Sequence, residues 1–381
     1  MLRLSNCPLT KNRFQFDLKN DMKNNIFIRN DLKNWKEYTP VPSAESISMD
    51  QKLRIEKIDK LNAGESMYGP SPLVRQRLSR FKGFQFYPDP KYRTLRKEIS
   101  KYVKVNVQNI FVSNGADELI DVILRLVLNS GEEVIDCPPT FSSYSLSTIL
   151  NKGVVKIVKR EKDFSIDTDA IIKSITDKTK IIFICNPNNP TGNVTPISEI
   201  QKILETGVLV CVDEAYSEFG GESAISLLRK YENLIIIRSF SKWAGIAGLR
   251  LGYGLMSEYL VKQLMKIKQP YNVNYAAVIA GIASLQDTEY REKIVSKVVK
   301  ERKNLESEIQ NKGGYKVFPS GGNFVYIQTT KKQLTKIKKE CNRKKIALRF
   351  YDSEITGSAL RITVGKQKQN KRIITILNKS I

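Results

Sequence analysis

The sequence predicts an α/β protein with a mostly parallel central sheet, helices on both faces of that sheet, and a smaller α+β domain. Between residues 110 and 255, apolar runs alternate with polar or glycine-containing loops and helical segments, a pattern typical of parallel sheets. The run at 234–237 is short, apolar and β-branched, which is typical of a buried parallel strand. With 381 residues, of which 41% are hydrophobic, the chain is long enough for one large or two medium domains.

Seven strands are expected in the alternating region. They lie at 110–113, 133–137, 154–158, 181–185, 208–212, 234–238 and 251–255. Ligands bind outside the carboxyl ends of the strands in open parallel sheets, so the polar residues that follow these strands are the expected site.

The chain after Pro270 predicts the smaller domain. Helices are expected at 276–285 and 290–310, then a strand at 324–328, a basic helix at 331–345, strands at 346–350 and 360–364, and a final helix. No low-complexity linker separates the two regions, so we expect them to share a cleft.

The chain is strongly basic, with 63 Lys and Arg against 39 Asp and Glu and a formal charge of +24. Such a field favours anionic ligands. The lysines are spread over helical faces and no RNA- or DNA-binding motif accompanies them. We therefore expect a solvated basic surface and no nucleic-acid partner.

The lack of a recognisable targeting signal and the cysteine usage predict a cytoplasmic protein. No apolar run approaches the ~20 residues that cross a bilayer, and the N-terminus lacks a signal-peptide core, so no membrane partner is expected. The five cysteines are an odd number without CxxC spacing, which argues against a disulfide framework.

The sequence contains no histidine. This absence excludes Ser-His-Asp and Cys-His nucleophile systems and every histidine metal site, and no metal is expected. Acid–base chemistry must therefore fall to Lys, Tyr, Asp or Glu.

The most informative motif follows the strand at 234–238, where Lys242 comes after Ser239 and Ser241 and before Arg250. Lysine condenses with aldehydes, and desolvation or a neighbouring cation such as Arg250 can lower its pKa enough to make it nucleophilic. Two hydroxyls and a guanidinium also suit a phosphate monoester. Taken alone, the motif is better explained as a helix N-cap with a solvated lysine and an arginine in an ion pair.

Two further polar loops follow predicted strands. Residues 113–118 (Ser-Asn-Gly-Ala-Asp-Glu) open an apolar-periodic segment, and backbone amides at that helix start can hold a phosphate, although the helix dipole alone explains the two acids. Residues 186–192 (Asn-Pro-Asn-Asn-Pro-Thr-Gly) are stiffened by two prolines and can present an asparagine amide to a ligand. A plain turn would also explain that loop.

The strand at 208–212 leads into Asp213, with Tyr216 three residues later. A buried aspartate needs a cationic partner, and a protonated pyridine nitrogen would be one. A Walker-B-like metal ligand is the competing interpretation. It fails because no glycine-rich Walker A loop precedes the strand.

These four segments, in this order, resemble the aspartate-aminotransferase superfamily of pyridoxal-phosphate enzymes, which have fold type I. Further stretches are similar to histidinol-phosphate aminotransferases, including plant forms, and they lie at 68–72, 87–90, 136–141 and 268–274. The resemblance runs from about Tyr38 to the C-terminus. Gly64 and Ser66 depart from it, because the family commonly has asparagines at these positions.

The resemblance implies a division of the chain. Residues 1–35 would be an N-terminal extension or arm, residues 36–70 and 288–381 the small domain, and residues 71–287 the large pyridoxal-phosphate-binding domain.

The resemblance also implies the cofactor-site residues. Lys242 would form a Schiff base with pyridoxal 5'-phosphate and move the catalytic proton, and Asp213 would pair with the pyridine nitrogen. Asn189 and Tyr216 would hydrogen-bond the phenolic oxygen, and Phe141 would stack on the ring. The residues implied to hold the phosphate are Gly115, Ala116, Asp117, Ser239, Ser241, Arg250 and the partner subunit's Tyr87. Such a shared active site implies a homodimer.

The resemblance implies that Arg361 and Arg349 recognise the substrate, because two guanidiniums can hold a phosphate or a carboxylate bidentately. Tyr38 would be a third contact, and Asn189 would also face the substrate. The resemblance therefore implies a histidinol-phosphate transaminase of histidine biosynthesis. It would exchange the amino group of L-histidinol phosphate with 2-oxoglutarate, giving imidazole-acetol phosphate and glutamate.

Three alternatives remain open. A phospho-amino-acid decarboxylase or an aromatic or other amino-acid aminotransferase would share the fold and the cofactor. A basic polyanion-binding protein that keeps the fold without catalysis is an alternative of another class.

Overall fold

The computed structural model describes residues 27–33 and 40–381. Contacts divide the chain into Met1–Pro42 and Ser43–Ile381. In the first unit, the described residues include a 3-10 turn at Asn30–Leu32. Most of the expected N-terminal arm at 1–35, and Tyr38, lie outside the described residues.

Thirteen strands and twelve α-helices occur in the described part of the chain. The strands are β1 (Asp59–Lys60), β2 (Ile110–Ser113), β3 (Glu133–Asp136), β4 (Val154–Ile157), β5 (Thr179–Cys185), β6 (Leu209–Asp213), β7 (Leu234–Ser239), β8 (Gly252–Leu255), β9 (Lys316–Phe318), β10 (Phe324–Gln328), β11 (Ile346–Ala347), β12 (Arg349–Ser353) and β13 (Gly357–Thr363). The helices are α1 (Ala44–Gln51), α2 (Pro72–Arg80), α3 (Arg93–Val103), α4 (Gly115–Val127), α5 (Ser143–Leu150), α6 (Thr168–Lys173), α7 (Ile197–Leu204), α8 (Glu258–Ile267), α9 (Tyr275–Gln286), α10 (Thr288–Lys312), α11 (Lys331–Lys344) and α12 (Gln367–Asn378). None of the helices described is both long enough and apolar enough to span a bilayer.

The central sheet has seven strands in the order β2-β8-β7-β6-β5-β3-β4. Strands β3 to β7 pair in parallel, whereas β8 is antiparallel to both of its neighbours, β2 and β7. All seven predicted strands are found, with ends that shift by two residues or fewer. The predicted α/β fold with a mostly parallel sheet is therefore confirmed.

Alternate residues of each central strand pack on opposite faces of the sheet. In β5, Ile182 and Ile184 join the cluster that includes helices α3 and α9, whereas Ile181 and Phe183 join the cluster that includes α4 and α8. Each of these four side chains is at most 1% exposed. Burial of such a side chain contributes about 1.5–3 kcal/mol, so the sheet is held from both faces.

The second sheet is antiparallel, in the order β12-β13-β10-β9. A separate pair, β1 and β11, runs in parallel, and the amide of Leu61 continues it by donating to Ala347 O at 2.8 Å. The single strand predicted at 346–350 is two strands, because its first residues pair with β1 and its later ones with β13.

The carboxyl ends of β5, β6 and β7 lie side by side. The register pairs Cys185 with Asp213, and Asp213 with Ile237. On the far side of β7, Ser239 pairs with Gly252, which also pairs with Ser113 at the end of β2. The loops after these strands are therefore neighbours at one edge of the sheet, where a ligand is expected.

Candidate active site

Lys242 lies in the loop directly after β7, where its ammonium group is largely shielded from water. Its Nζ donates to Ala63 O at 3.1 Å and lies 5.4 Å from the centre of the Tyr216 ring. Burial lowers the pKa of Lys242 to about 8, and the positive charge of Arg361 is the next largest cause. Arg250 lowers the pKa of Lys242 less than Arg361 does. The sequence suggested Arg250 as the principal neighbouring cation, whereas in the structure it is Arg361. The amine is therefore prepared to act as a nucleophile near neutral pH.

The lowered pKa predicts how fast the apoenzyme captures an aldehyde. Only the neutral amine attacks, so the rate should rise about tenfold per pH unit up to about pH 8 and then level off. Stopped-flow absorbance with pyridoxal 5'-phosphate measures this profile. Arg361→Leu removes a positive charge beside Lys242, so it should move the midpoint upward. A midpoint near 10.5 in the unaltered protein would contradict the prediction.

Arg250 forms one side of an anion cradle at the N-terminus of α4. Its Nη2 donates to Asp117 Oδ2 at 2.8 Å, and its Nη1 donates to Ala247 O at 3.3 Å. Gly115 has φ +82°, and a Cβ at this residue would lie 2.6 Å from Arg250 Nη2. A Cβ on Gly252 would likewise lie 3.0 Å from Ala116 N. Both glycines therefore let the guanidinium and the strand approach the helix start closely, where free amides attract anions.

Ser239 and Ser241 complete the hydroxyl side of this cradle. Both are buried, and Ser241 N donates to Ser239 Oγ at 3.1 Å. The carboxylate of Asp117 offsets part of the charge of Arg250, so the attraction of Asp117 for an anion comes from its backbone amide alone.

Asp213 lies at the end of β6 and is 3% exposed. Its Oδ1 accepts from Ala215 N at 3.0 Å, and its Oδ2 accepts from the Tyr144 hydroxyl at 2.7 Å. Burial raises the pKa of Asp213 to about 6, despite these two hydrogen bonds. A carboxylate so desolvated favours a cationic ligand.

Asn189 and Arg361 meet although 172 residues separate them. Arg361 Nη1 donates to Asn189 Oδ1, and Nη2 donates to Asn62 O at 2.8 Å. The guanidinium also lies 5.2 Å from the centre of the Phe324 ring. Arg361 Nε has no hydrogen-bond partner within residues 40–381 as described, so one buried donor is left for a ligand.

Arg349 lies directly opposite Arg361 in the antiparallel pair of β12 and β13. Directly opposed residues project from the same face of a sheet, so the two arginines share a face. In the described residues, no carboxylate forms an ion pair with Arg349, whose guanidinium lies 5.7 Å from the centre of the Tyr351 ring. Two adjacent cations without a bridging carboxylate indicate a second anion site.

The two remaining predicted aromatic residues take different places. Phe141 packs edge-to-face against Tyr144 at 5.6 Å. Tyr87 is 77% exposed and stacks on Tyr271 at 4.3 Å. Among the hydrogen bonds of the described chain, none joins Tyr87 to the cradle of its own subunit.

The sequence did not point to Tyr144 or to the carbonyl of Ala63. Tyr144 lies three residues after Phe141, but the sequence does not show that its hydroxyl points back to β6. A carbonyl oxygen carries no residue-specific signal at all, because every residue has one.

A buried ion-pair cluster holds the ends of β6 and β7 together. Arg238, which precedes Ser239, forms ion pairs with Glu214 at 2.7 Å and with Glu218 at 3.2 Å. The Ser223 hydroxyl and the amide of Ala224 also donate to Glu214, at 2.8 and 2.6 Å. Since Glu214 follows Asp213, the cluster fixes the relative position of the two strand ends that carry the site.

Replacing Arg238 with methionine should cost about 3–5 kcal/mol of stability, because two buried carboxylates would lose their cation. Denaturant unfolding of the apoenzyme measures this loss. Arg343→Met is the matched control, since its ion pair with Glu340 is exposed and its loss should leave stability unchanged. Equal unfolding midpoints for the two variants would show that the buried cluster does not hold the strand ends.

The chain is similar to known proteins over most of its length. The aminotransferase class I and II family matches residues 56–377. A histidinol-phosphate aminotransferase of Dehalococcoides mccartyi is 40% identical over 351 residues, which cover 92% of this chain and 97% of that protein. The chloroplastic histidinol-phosphate aminotransferase 1 of Arabidopsis thaliana is 38% identical over 363 residues, covering 94% of this chain and 87% of that protein.

A solved structure shows the same fold. It is the histidinol-phosphate aminotransferase of Sinorhizobium meliloti in complex with pyridoxal 5'-phosphate. The TM-score is 0.83 at 23% identity, and the match covers 93% of this chain and 97% of that chain.

Proposed function

Since this chain belongs to the aminotransferase class I and II family, we propose that it exchanges the amino group of L-histidinol phosphate with 2-oxoglutarate. The products would be imidazole-acetol phosphate and glutamate, a step of histidine biosynthesis. Histidinol-phosphate aminotransferases that are 40% identical to this chain over 92% of its length support L-histidinol phosphate as the amino donor. The observation that carries the chemistry is the desolvated Lys242 amine beside Arg361, within electrostatic reach of Arg250.

The residues of the site fit pyridoxal 5'-phosphate, the cofactor of the family. Gly115 keeps the start of α4 open to a phosphate, and Arg250 lies against it. Asp213 is a buried carboxylate with no cation hydrogen-bonded to it in the described chain, which suits a protonated ring nitrogen. When bound, the cofactor supplies the aldehyde that accepts the amino group and the ring that stabilises negative charge at the reacting carbon.

The remaining cofactor contacts are proposed from the family resemblance. Ser239, Ser241 and the amides of Gly115, Ala116 and Asp117 would hold the phosphate. The Tyr216 hydroxyl and the Asn189 amide would contact the phenolic oxygen, and Phe141 would cover one face of the ring. These contacts would fix the ring relative to Lys242, so binding itself would supply the orientation that the reaction needs.

Lys242 would act at two atoms in turn. Its Nζ would hold the resting cofactor covalently until the substrate amino group displaces it, and the amine freed in this way would take the proton from the substrate Cα. The hydrogen bond from Nζ to Ala63 O keeps the amine in the site while it is free. The centre of the Tyr216 ring lies 5.4 Å from Nζ, so the amine is a neighbour of the residue proposed to contact the phenolic oxygen.

Arg361 and Arg349 would bind the substrate phosphate in one half-reaction and a carboxylate of 2-oxoglutarate in the other. Arg361 is already aligned by Asn189 and Asn62, and its Nε is left to donate. Planar guanidinium groups bind both anions through paired hydrogen bonds, which explains how one site serves two substrates.

A single-turnover spectrum tests the proposed reaction. The cofactor-loaded enzyme is mixed with L-histidinol phosphate, the absorbance of the bound cofactor is followed to the amine form, and 2-oxoglutarate is then added. Conversion followed by full recovery supports both half-reactions. If glutamate converts the cofactor and histidinol phosphate does not, the substrate is wrong. Release of CO2 from phosphothreonine or phosphoserine without amino transfer would favour a decarboxylase instead.

Arg349→Ala should raise KM for L-histidinol phosphate about 10- to 100-fold, because charged hydrogen bonds to the phosphate are lost. KM for glutamate should rise less, because a carboxylate carries a single negative charge whereas the phosphate carries about −1.5 to −2 and so depends more on the second guanidinium. Steady-state kinetics with both amino donors measures the difference, with Arg343→Ala as the exposed control. Equal changes for both donors would argue against a phosphate site at Arg349.

We also propose a homodimer in which each subunit completes the other's site. Tyr87, Phe86 and Phe84 are more than half exposed, and Tyr87 is stacked on Tyr271, which supports an aromatic contact surface. In this arrangement Tyr87 would donate to the phosphate bound by its partner.

Mixed dimers of Lys242→Ala and Tyr87→Ala subunits test the shared site. If Tyr87 serves the partner, one of the two sites in a mixed dimer has both residues, and mixing the two impaired variants restores activity. If Tyr87 serves its own subunit, no site has both residues and mixing restores nothing. Sedimentation of the unaltered protein measures the oligomeric state.

The proposed domain division remains residues 36–70 with 288–381 as the small domain and 71–287 as the large one. The pairing of β1 with β11 supports it, as does the hydrophobic cluster that Leu61 shares with Val325 and Ile362. Limited proteolysis should therefore cut near residues 70 and 288 before it cuts within either domain.

We place the enzyme in the cytoplasm. The support is that Cys137, Cys185, Cys211 and Cys341 are free and buried in the described chain, as is common for proteins of reducing compartments. Cell fractionation followed by immunodetection tests this location, and recovery with an organelle would contradict it.

A further inference from the structure

Tyr144, in the first turn of α5, is fully buried against the end of β6. Its hydroxyl donates to Asp213 Oδ2 at 2.7 Å. The ring stacks on Phe183 with centroids 4.6 Å apart and an interplanar angle of 8°, and it meets Phe141 edge-to-face at 5.6 Å. With two ring neighbours and one hydrogen bond, the phenol has little freedom to turn.

Both oxygens of Asp213 are thereby engaged, Oδ1 by the amide of Ala215 and Oδ2 by Tyr144. A carboxylate held at both oxygens keeps one orientation. We propose that Tyr144 is a positioning residue, which holds the carboxylate of Asp213 charged and correctly oriented for the cationic ring nitrogen of the cofactor. This inference rests on the proposed cofactor role of Asp213.

The groups around Asp213 show why a hydrogen-bond donor matters here. It is faced by Tyr144 of α5, Cys185 at the end of β5, Cys211 of its own strand, Lys242 after β7 and Asp117 of α4. Burial raises the pKa of Asp213 and the negative charge of Asp117 raises it further, whereas Tyr144, the Ala215 amide and Lys242 lower it. Tyr144 is the side chain with the largest effect in favour of the carboxylate.

Tyr144 itself can act only as a donor in this contact. Burial and the charge of Asp213 raise the pKa of the phenol well above its usual value, so the hydroxyl keeps its proton at any working pH. The Tyr144 ring also packs against Phe141. Tyr144 therefore connects Phe141, which is expected on the face of the cofactor ring, with Asp213, which is expected at the nitrogen of that ring. One side chain therefore orients two cofactor contacts.

Tyr144→Phe tests the proposal, because it removes the hydroxyl and keeps the ring. Tyr253→Phe is the matched control, since Tyr253 is 1% exposed and its hydroxyl has no hydrogen-bond partner in the described structure. The measurement is the dissociation constant of pyridoxal 5'-phosphate from the full-length apoenzyme between pH 5 and 9. No substrate is present, so an incorrect substrate assignment leaves the outcome unchanged.

We expect Tyr144→Phe to weaken cofactor binding about 10- to 100-fold, the range for a lost hydrogen bond to a charged group. The pH below which binding is lost should also move upward. Saturating cofactor should leave KM nearly unchanged and kcat lowered. Tyr144→His, which keeps an N–H donor, should recover part of the affinity, and Tyr253→Phe should behave like the unaltered enzyme.

A double-mutant cycle excludes a purely structural effect. In an Asp213→Asn background, adding Tyr144→Phe should weaken cofactor binding by less than twofold, because the charge to be held is gone. An undiminished effect in that background would overturn the proposal, and so would an unchanged dissociation constant and pH profile in Tyr144→Phe alone. The unfolding midpoints of the apoenzymes identify any variant that has lost its fold.

Discussion

Replacing Lys242 with alanine is expected to lower kcat for amino transfer by about 1000-fold or more. The variant loses both the amine that attaches the cofactor and the base at the substrate Cα, and each function typically contributes a factor of 100 or more. The anion cradle at α4 and Arg250 does not involve Lys242, so cofactor binding should weaken without being abolished. Steady-state assays with L-histidinol phosphate and 2-oxoglutarate measure the loss, and equilibrium dialysis measures the remaining binding.

Two controls separate chemistry from charge. Lys242→Arg keeps a cation at this place but cannot release a proton near neutral pH, so it should be as inactive as the alanine variant. Lys202→Ala removes an exposed lysine paired with Glu199 and should change kcat less than twofold. Multiple turnovers by Lys242→Ala at a normal rate would remove Lys242 from the mechanism.

The central strands could be predicted from the sequence because they are buried on both faces. Continuous apolar runs such as 234–237 favour buried parallel strands, and the polar residues after them mark the edge where a ligand is expected. The antiparallel direction of β8 could not be predicted in this way. Gly252–Leu255 is only four residues long, and its partners are set by long-range pairing.

From the sequence, only those site residues could be predicted whose functional groups by themselves suggest a ligand. Lys242, Asp213 and Arg250 are residues whose functional groups suggest their ligands. The contact of Asn189 with Arg361 depends on how the small sheet meets the large one, so no local pattern reveals it. The contact of Tyr144 with Asp213 could not be predicted either, since a buried tyrosine on a short helix usually fills the core.

Asp213→Asn is expected to lower kcat about 30- to 5000-fold, because removing one partner of a buried charge pair costs about 2–5 kcal/mol. The amide is nearly the same shape as the carboxylate but carries no charge, so the ring nitrogen of the cofactor would lose the group that keeps it protonated. Cofactor affinity and kcat should fall together. Asp213→Glu keeps the charge on a side chain one methylene longer and should retain more activity than the asparagine variant.

The pH dependence of cofactor binding gives the sharpest test of this role. Asp213 is charged only above its pKa of about 6, so cofactor affinity of the unaltered apoenzyme should fall about tenfold per pH unit below pH 6. The phosphate of the cofactor titrates in the same range and would affect every variant alike. Asp213→Asn has no charge to lose, so the difference between the two profiles isolates the carboxylate. Parallel profiles would mean that Asp213 is protonated, or unpaired, in the working enzyme.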